Sequence, residues 1–309
     1  MSTFWDTWRK DIIRGAALFC AVLVVWWVGK AAVSGVRRRV TESLPMALRD
    51  LPHQFDADFD AGPRTTGGTW NYRARVEPKQ WVWIHNIRGS VKVEPTKGSF
   101  VDISAVKTYH SSDPASVQLV ATPYEGGVAV CAVWQGRSER CSPKEGDYNM
   151  RGPHRNDVAV DFTVQLPATV RLGATTVVGD LHVTGARAPL VLHTVSGDVD
   201  ATTAAGPVQA RSVNGDVRIH MDALGDTGAV SVVTINGSVT AELPPQLDAD
   251  VKAKTINGSI TTDYPLQVNG KFTSHDVAGT LGKGGREVSI QTVNGSIKLN
   301  KATSATTPR

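Results

Sequence analysis

From Thr69 onward apolar and polar residues alternate with a period of two, in short runs broken by Gly, Pro, Asn or Ser. Trp81-Val82-Trp83-Ile84, Val91-Lys92-Val93, Val101-Asp102-Ile103, Val117-Gln118-Leu119-Val120, Val128-Ala129-Val130 and the run from Val158 to Val164 carry the pattern. Such alternation puts one set of side chains on each face of a pleated ribbon, so it predicts many short strands. Val and Thr are frequent after Pro52 while Leu, Glu and Lys are sparse, which favours strands over helices.

A six-residue unit recurs on this background. It reads Thr176-Val177-Val178-Gly179-Asp180-Leu181, Thr194-Val195-Ser196-Gly197-Asp198-Val199 and Ser212-Val213-Asn214-Gly215-Asp216-Val217. Thr234-Ile235-Asn236-Gly237-Ser238-Val239, Thr255-Ile256-Asn257-Gly258-Ser259-Ile260 and Thr292-Val293-Asn294-Gly295-Ser296-Ile297 follow. A worn copy, Asp276 to Leu281, lies before the last, and an early copy is Asn86-Ile87-Arg88-Gly89-Ser90-Val91. Glycines from Gly179 are 18, 18, 22, 21, 21 and 16 residues apart. A period in this range predicts an all-β parallel β-helix or solenoid of roughly 18–22-residue coils. Each Gly is expected at a corner with positive φ, with the flanking β-branched residues turned inward. Equivalent residues would stack about 4.8 Å apart, so that Asn214, Asn236 and Asn257 could bond as an amide ladder; Asn294 is a further corner residue. The competing reading is a meander of hairpins, since Asn-Gly between apolar runs is also a hairpin turn signal.

Ahead of the strands, Gly15 to Gly29 carries no charge, and apolar and small residues resume after Lys30. Trp5 and Trp8 stand before this run and Trp26 and Trp27 at its end. Two aromatic belts about 27 Å apart along a helix fit one membrane core. The expectation is a single-pass transmembrane helix over 15–36 after an interfacial segment 1–14; a cleaved signal peptide is the alternative. Residues 37–68 read as a linker, with three prolines and the acidic cluster Asp56, Asp58 and Asp60. Residues 69–168 then form an N-terminal β region, 169–300 the repeats and 301–309 a disordered tail.

Charge and chemistry narrow the function. The net charge is +4 over 309 residues, partly from Arg37 to Arg39, so no electrostatic footprint of a nucleic-acid binder is present. The eight histidines are scattered, and the chain has no H-E-x-x-H, G-x-S-x-G or P-loop motif. No catalytic residue and no cofactor is expected, and the reading is non-enzymatic. Asp180, Asp198 and Asp216 share one repeat position, and three stacked carboxylates repel. Either each caps its own corner and faces water, or the column holds a weak metal site, Ca²⁺ being the fitting ion. Cys131 and Cys141 flank a polar turn and would be a local disulfide in an oxidising compartment, or two buried thiols. Cys20 lies in the apolar run. Lys and Arg flank that run on both sides, so charge leaves orientation open.

The repeat units resemble those of the putative-adhesin family of bacterial envelope proteins, a β-solenoid domain of unknown function. Ile84 to Val93 and Val160 to Pro167 resemble its entry strands, and the likeness runs from Trp81 to Leu299. The resemblance implies a body outside the cytoplasm, in the periplasm or beyond, tied to the inner membrane by one helix; it supplies no catalytic residues. Partners are then membrane lipid and an integral membrane protein complex. The first expectation is a structural, scaffolding subunit that docks on and stabilises such a complex. The alternative is an adhesin-like envelope module for glycan or protein, and an enzyme on a β-helix ranks last.

Overall fold

The computed structural model describes residues 63–134, 141–143, 156–225, 228–265, 267–268 and 275–302. The expected span, its flanking Trp5, Trp8, Trp26 and Trp27, Cys20 and the linker to residue 62 lie outside the described residues. Among the described residues no helix is long and apolar enough to cross a membrane.

Among the described residues the alternating runs form 21 strands. The first seven are β1 (Thr65–Arg75), β2 (Trp81–His85), β3 (Val91–Thr96), β4 (Phe100–Tyr109), β5 (Val117–Tyr124), β6 (Gly127–Trp134) and β7 (Ala159–Pro167). Next come β8 (Arg171–Thr175), β9 (Leu181–Ala186), β10 (Leu190–His193), β11 (Val199–Thr203), β12 (Val208–Arg211), β13 (Val217–Met221) and β14 (Val230–Val233). The last are β15 (Val239–Leu243), β16 (Ala249–Lys254), β17 (Ile260–Thr262), β18 (Gln267–Val268), β19 (Asp276–Leu281), β20 (Glu287–Gln291) and β21 (Ile297–Lys301). β1 thus begins inside the segment read as linker.

Two sheets hold these strands. The first runs β1-β4-β7-β3-β9-β11-β13-β15-β21-β17 and the second β18-β19-β16-β20-β14-β12-β10-β8-β2-β6-β5. Pairing is parallel through the middle of both. Each six-residue unit carries the chain from a strand of the second sheet to one of the first. The Asn-Gly steps are therefore corners between parallel coils, and the hairpin reading does not hold for them. Inward residues stack in register: Leu181, Val199, Val217, Val239 and Ile297 are all buried, as are Val183, Ala201, Ile219, Ala241 and Leu299. Burial of each Val, Leu or Ile among them is worth about 1.5–3 kcal/mol, and the rows belong to one continuous core between the sheets.

The order of coils departs from the order of the chain. Corner bridges run Arg88, Val178, Ser196, Asn214, Asn236, Asn294, Asn257. The last coil, β20 to β21, is thus inserted between the coil of β14 and β15 and that of β16 and β17. The worn repeat explains the detour. Asp276 to Leu281 alternates exposed and buried positions as a straight strand, β19, and runs antiparallel on β16. It makes no corner, contrary to its likeness to the unit, and it covers the edge beyond which the stack would have grown. At the other end β4 pairs antiparallel with β7, β1 with β4, and β5 with β6.

Candidate binding site at the cap end

The repeat positions resolve first, because they show which side chains are committed to architecture. Buried Thr176, Thr194, Ser212, Thr234, Thr292 and Thr255 each donate a hydroxyl to the glycine carbonyl of the preceding coil, at 2.8–3.1 Å. A Cβ on Gly179, Gly197, Gly215, Gly237, Gly295 or Gly258 would lie 1.9–2.1 Å from that same carbonyl oxygen. The glycine column is thus required by close approach of backbones. The residues expected to turn inward do so on both sides of the first two corners, where Ile87 and Val177 are buried, and on one side only at the later ones. Val195, Val213, Ile235 and Val293 are half-exposed and Ile256 is 61% exposed, because no further coil stacks on it.

The amide ladder runs Asn214, Asn236, Asn294, Asn257, each Nδ2 donating to the preceding Oδ1 at 2.7–2.8 Å. Asn294 stands between the two residues the sequence would have made neighbours. The Asp column neither caps its own corners nor gathers into a metal cluster. Asp180, Asp198 and Asp216 each accept the N–H of the next coil's equivalent residue, Asp198, Asp216 and Ser238, on Oδ1 at 2.8 Å. Arg218 lies 3.3 Å and 3.0 Å from the other oxygens of Asp198 and Asp216, which relieves the repulsion without a metal. Among the described residues no group of three or more His, Cys, Asp or Glu is placed to hold a metal ion.

The outer face of the second sheet near its β5 end is also committed. Trp81 and Trp83 stack at 5.0 Å and Trp83 and His85 at 5.8 Å. Trp83 lies across Gly173, where a Cβ would come within 2.0 Å of its ring, and packs with Val191. Cys131, beside His85 in register, is disulfide-bonded to Cys141. Burial lowers the His85 pKa to about 4 against a hydrogen bond with the Ser142 backbone. Burial, then the nearby Arg211 charge, lowers that of His193 to about 3. Sequence reasoning missed this platform; the signal was the Trp-x-Trp-x-His alternation, which puts three rings on one face.

The cap end differs. Among the described residues β1 terminates the first sheet and β5 the second, and each is paired on one side only. Between them lies a cleft of about 480 Å³ lined by Gly67–Trp70, Lys107, Tyr109, Pro114, Ala115 and Leu119. The inward residues of β1, Trp70, Tyr72 and Ala74, stay only partly buried against the core, and the first two stack at 5.9 Å. At Gly67–Gly68 the register with β4 shifts, with two residues opposite Lys107. Such bulges re-aim an edge next to sites. Lys107 Nζ crosses the cleft to donate to the carbonyls of Val117 and, at 2.8 Å, Pro114. Burial lowers its pKa, Asp113 opposing.

The cleft floor is braced from behind. Asp157, buried, accepts the N–H groups of His110, Ser111 and Ser112 at 2.6–2.9 Å. Burial acts to raise its pKa, but the Ser112 hydroxyl and these three N–H groups outweigh it and hold the carboxyl far below the usual range. Arg64 donates to the Thr108 and Asp157 carbonyls, fixing the start of β1.

This architecture defines a class: an all-β, solenoid-like protein of two sheets, parallel in the middle and closed by antiparallel strands. The chain belongs to the Toastrack DUF4097 family, whose model matches residues 140–300. The match bears out the resemblance drawn from the repeat units. Two solved structures are similar at low identity. One is a putative cell adhesion protein from Clostridium sporogenes, 13% identical, TM-score 0.43, with 76% of this chain and all (100%) of that chain covered. The other is a putative adhesin from Bacteroides fragilis, 11% identical, TM-score 0.39, with 76% and 97% covered. No curated protein matches the chain.

Proposed function

We propose that the chain is a non-enzymatic recognition module of the cell envelope, an adhesin-like binding protein that takes up a protein partner at its cap end. The observation that carries this reading is the free edge of β1 beside an open, aromatic-lined cleft. β1 is 11 residues long, about 37 Å, and among the described residues only the edge turned toward β4 is paired. An extended segment of a partner can add to such an edge, its backbone supplying affinity and its alternate side chains specificity. Trp70 and Tyr72 offer the surface that such side chains would cover.

The rest of the molecule supports a structural role for its polar groups. The repeat Asp and Asn residues hold coils together, and His85 and His193 are buried beside the core. The Cys131–Cys141 disulfide fits an oxidising compartment, and the N-terminal apolar run with its Trp belts fits a single-pass anchor in the inner membrane. The scaffolding subunit is the form of this proposal in which the partner is an integral membrane protein complex.

The test is extraction from the native membrane in mild detergent, then native mass spectrometry of wild type and Trp70→Ala. A partner that travels in fixed ratio with wild type and is lost from a folded variant is expected. A protein that migrates alone, or a partner kept by the variant, overturns the cap-end site.

A further inference from the structure

The far end of the stack carries a second feature, independent of the proposed binding edge. We propose that Asn257 is a self-modification site, at which the Gly258 backbone nitrogen attacks the Asn257 side-chain amide and converts the residue to aspartate and isoaspartate.

The chain repeats the Asn-Gly pair at the corners of Asn214, Asn236, Asn294 and Asn257. The reaction is a ring closure. The glycine nitrogen gives up its proton and bonds to the asparagine Cγ, the Cγ–N bond of the amide breaks, and ammonia leaves with that proton. Water then adds to one of the two carbonyls of the cyclic imide and opens it, to aspartate or to isoaspartate. No electrons are transferred, and water is the one co-reactant. Glycine favours the attack because it has no Cβ to crowd its nitrogen. The nitrogen must still be free to swing onto Cγ.

Three corners withhold it. The N–H groups of Gly215, Gly237 and Gly295 are donated to the carbonyls of Asn236, Asn294 and Asn257 on the next coil, at 3.0, 2.9 and 2.9 Å. The Oδ1 atoms of Asn214, Asn236 and Asn294 each accept the Nδ2 of the next rung. Conversion there waits on the coils opening. Asn257 is the last rung, because β17, the strand that follows its corner, ends the first sheet among the described residues. Its Nδ2 is held by Asn294 Oδ1 at 2.7 Å. Among the described residues no group donates to its Oδ1, and the Gly258 N–H has no acceptor. Asn257 and Ile256 before it are exposed, so water reaches the site.

The product changes the end of the stack. A carboxylate at 257 has no N–H for Asn294 Oδ1, so two oxygens face each other where the amide bond was. Isoaspartate also adds a carbon to the backbone between the 257 N–H, now bonded to the Val293 carbonyl at 2.7 Å, and the carbonyl that takes the Gly295 N–H. Modification therefore loosens the outermost coil and adds one negative charge.

The experiment incubates the full chain in detergent in mildly alkaline buffer, beside the same chain unfolded in denaturant, and maps both by mass spectrometry after digestion. Fragmentation separates Asn257 from Asn269, which shares its tryptic peptide. Rates in the unfolded chain normalise for local sequence. Folding is expected to slow conversion at Asn214, Asn236 and Asn294 at least tenfold more than at Asn257. The Asn257 product should include isoaspartate, which direct hydrolysis of the amide does not give. Asn257→Gln should end conversion at this corner and leave the other three slow. Equal slowing at all four corners, or aspartate alone at 257, would overturn the proposal.

Discussion

Replacing Gly215 by alanine tests whether the glycine column exists for close approach of backbones. The new Cβ would stand 1.9 Å from the Gly197 carbonyl oxygen and 2.5 Å from its carbon. Ordinary contact needs about 3.4 Å or more, so the two coils must part by about 1.5 Å. That parting breaks the bonds that join them at this corner. They are Asn214 N–H to the Val195 carbonyl (2.8 Å), Gly197 N–H to the Asn214 carbonyl (3.0 Å), Asp216 N–H to Asp198 Oδ1 (2.8 Å) and Ser212 Oγ to the Gly197 carbonyl (3.0 Å). Four bonds at about 1 kcal/mol each give about 4 kcal/mol. Alanine returns about 0.4–1 kcal/mol by restricting the unfolded chain, leaving about 3 kcal/mol. For a body of this size that is a fall in Tm of about 6–12 °C, measured by calorimetry. Gly237→Ala should cost as much. Gly237 is not among the left-handed glycines, yet its added Cβ would lie 2.0 Å from the Gly215 carbonyl oxygen. Gly68→Ala, with open space around it, should be neutral or slightly stabilising. A loss under 1 kcal/mol at Gly215, or a large loss at Gly68, would refute the argument.

Thr234→Val keeps the shape of a buried side chain but takes its donor from the Gly215 carbonyl, and should cost about 1–3 kcal/mol by chemical denaturation. Asp157 has a folded pKa below its unfolded value. Its contribution is therefore full above about pH 4 and lost as pH falls through the folded value, and Asp157→Asn should flatten the acid limb of the stability curve. His85 and His193 act earlier. They are held neutral with pKa values of about 4 and about 3, so the unfolded chain takes up protons first and stability falls from about pH 6.5 toward pH 4. Melting His85→Gln and His193→Gln across that range should show a smaller slope than wild type. Reducing the Cys131–Cys141 bridge should cost about 2–3 kcal/mol, as expected for a loop of ten residues, read as a shift in Tm with and without reductant.

Strand content was legible because the alternation is local. The buried residue at every second position, Val199, Ala201 and Thr203 in β11 and Val217, Ile219 and Met221 in β13, is written in the sequence itself. The corner glycines were legible as a column, though the cause is a neighbour's carbonyl and not the φ angle alone. The roles of Asp180, Asp198 and Asp216 were not legible. Their partners are backbone N–H groups one coil away, and nothing in a single repeat says whether a carboxylate serves its own corner or the next. The cap end was legible only as strands. Its cleft depends on which strands end each sheet, a fact set by pairings between residues such as Trp70 and Ala105, 35 positions apart.

The inserted coil shows what the repeats do and do not encode. The partner of Asn236 is Asn294, 58 residues away, and not Asn257 at 21. Both carry the same Thr-Ile/Val-Asn-Gly-Ser unit, so the corner chemistry of Thr255 and Thr292 is interchangeable: each hydroxyl finds a glycine carbonyl, Gly295 or Gly237. The unit therefore specifies that a coil stacks and leaves open on which coil it stacks. What decides is the segment that breaks the rule. β19 alternates through a glycine in mid-strand, so it lies straight and antiparallel on β16 and closes that edge. With that side taken, the last unit stacks between the two coils before it, where both its neighbours carry the same ladder. Spatial order in a repeat protein of this kind is thus carried by its imperfect copy, and it is there that a sequence reader should look for a departure from simple stacking.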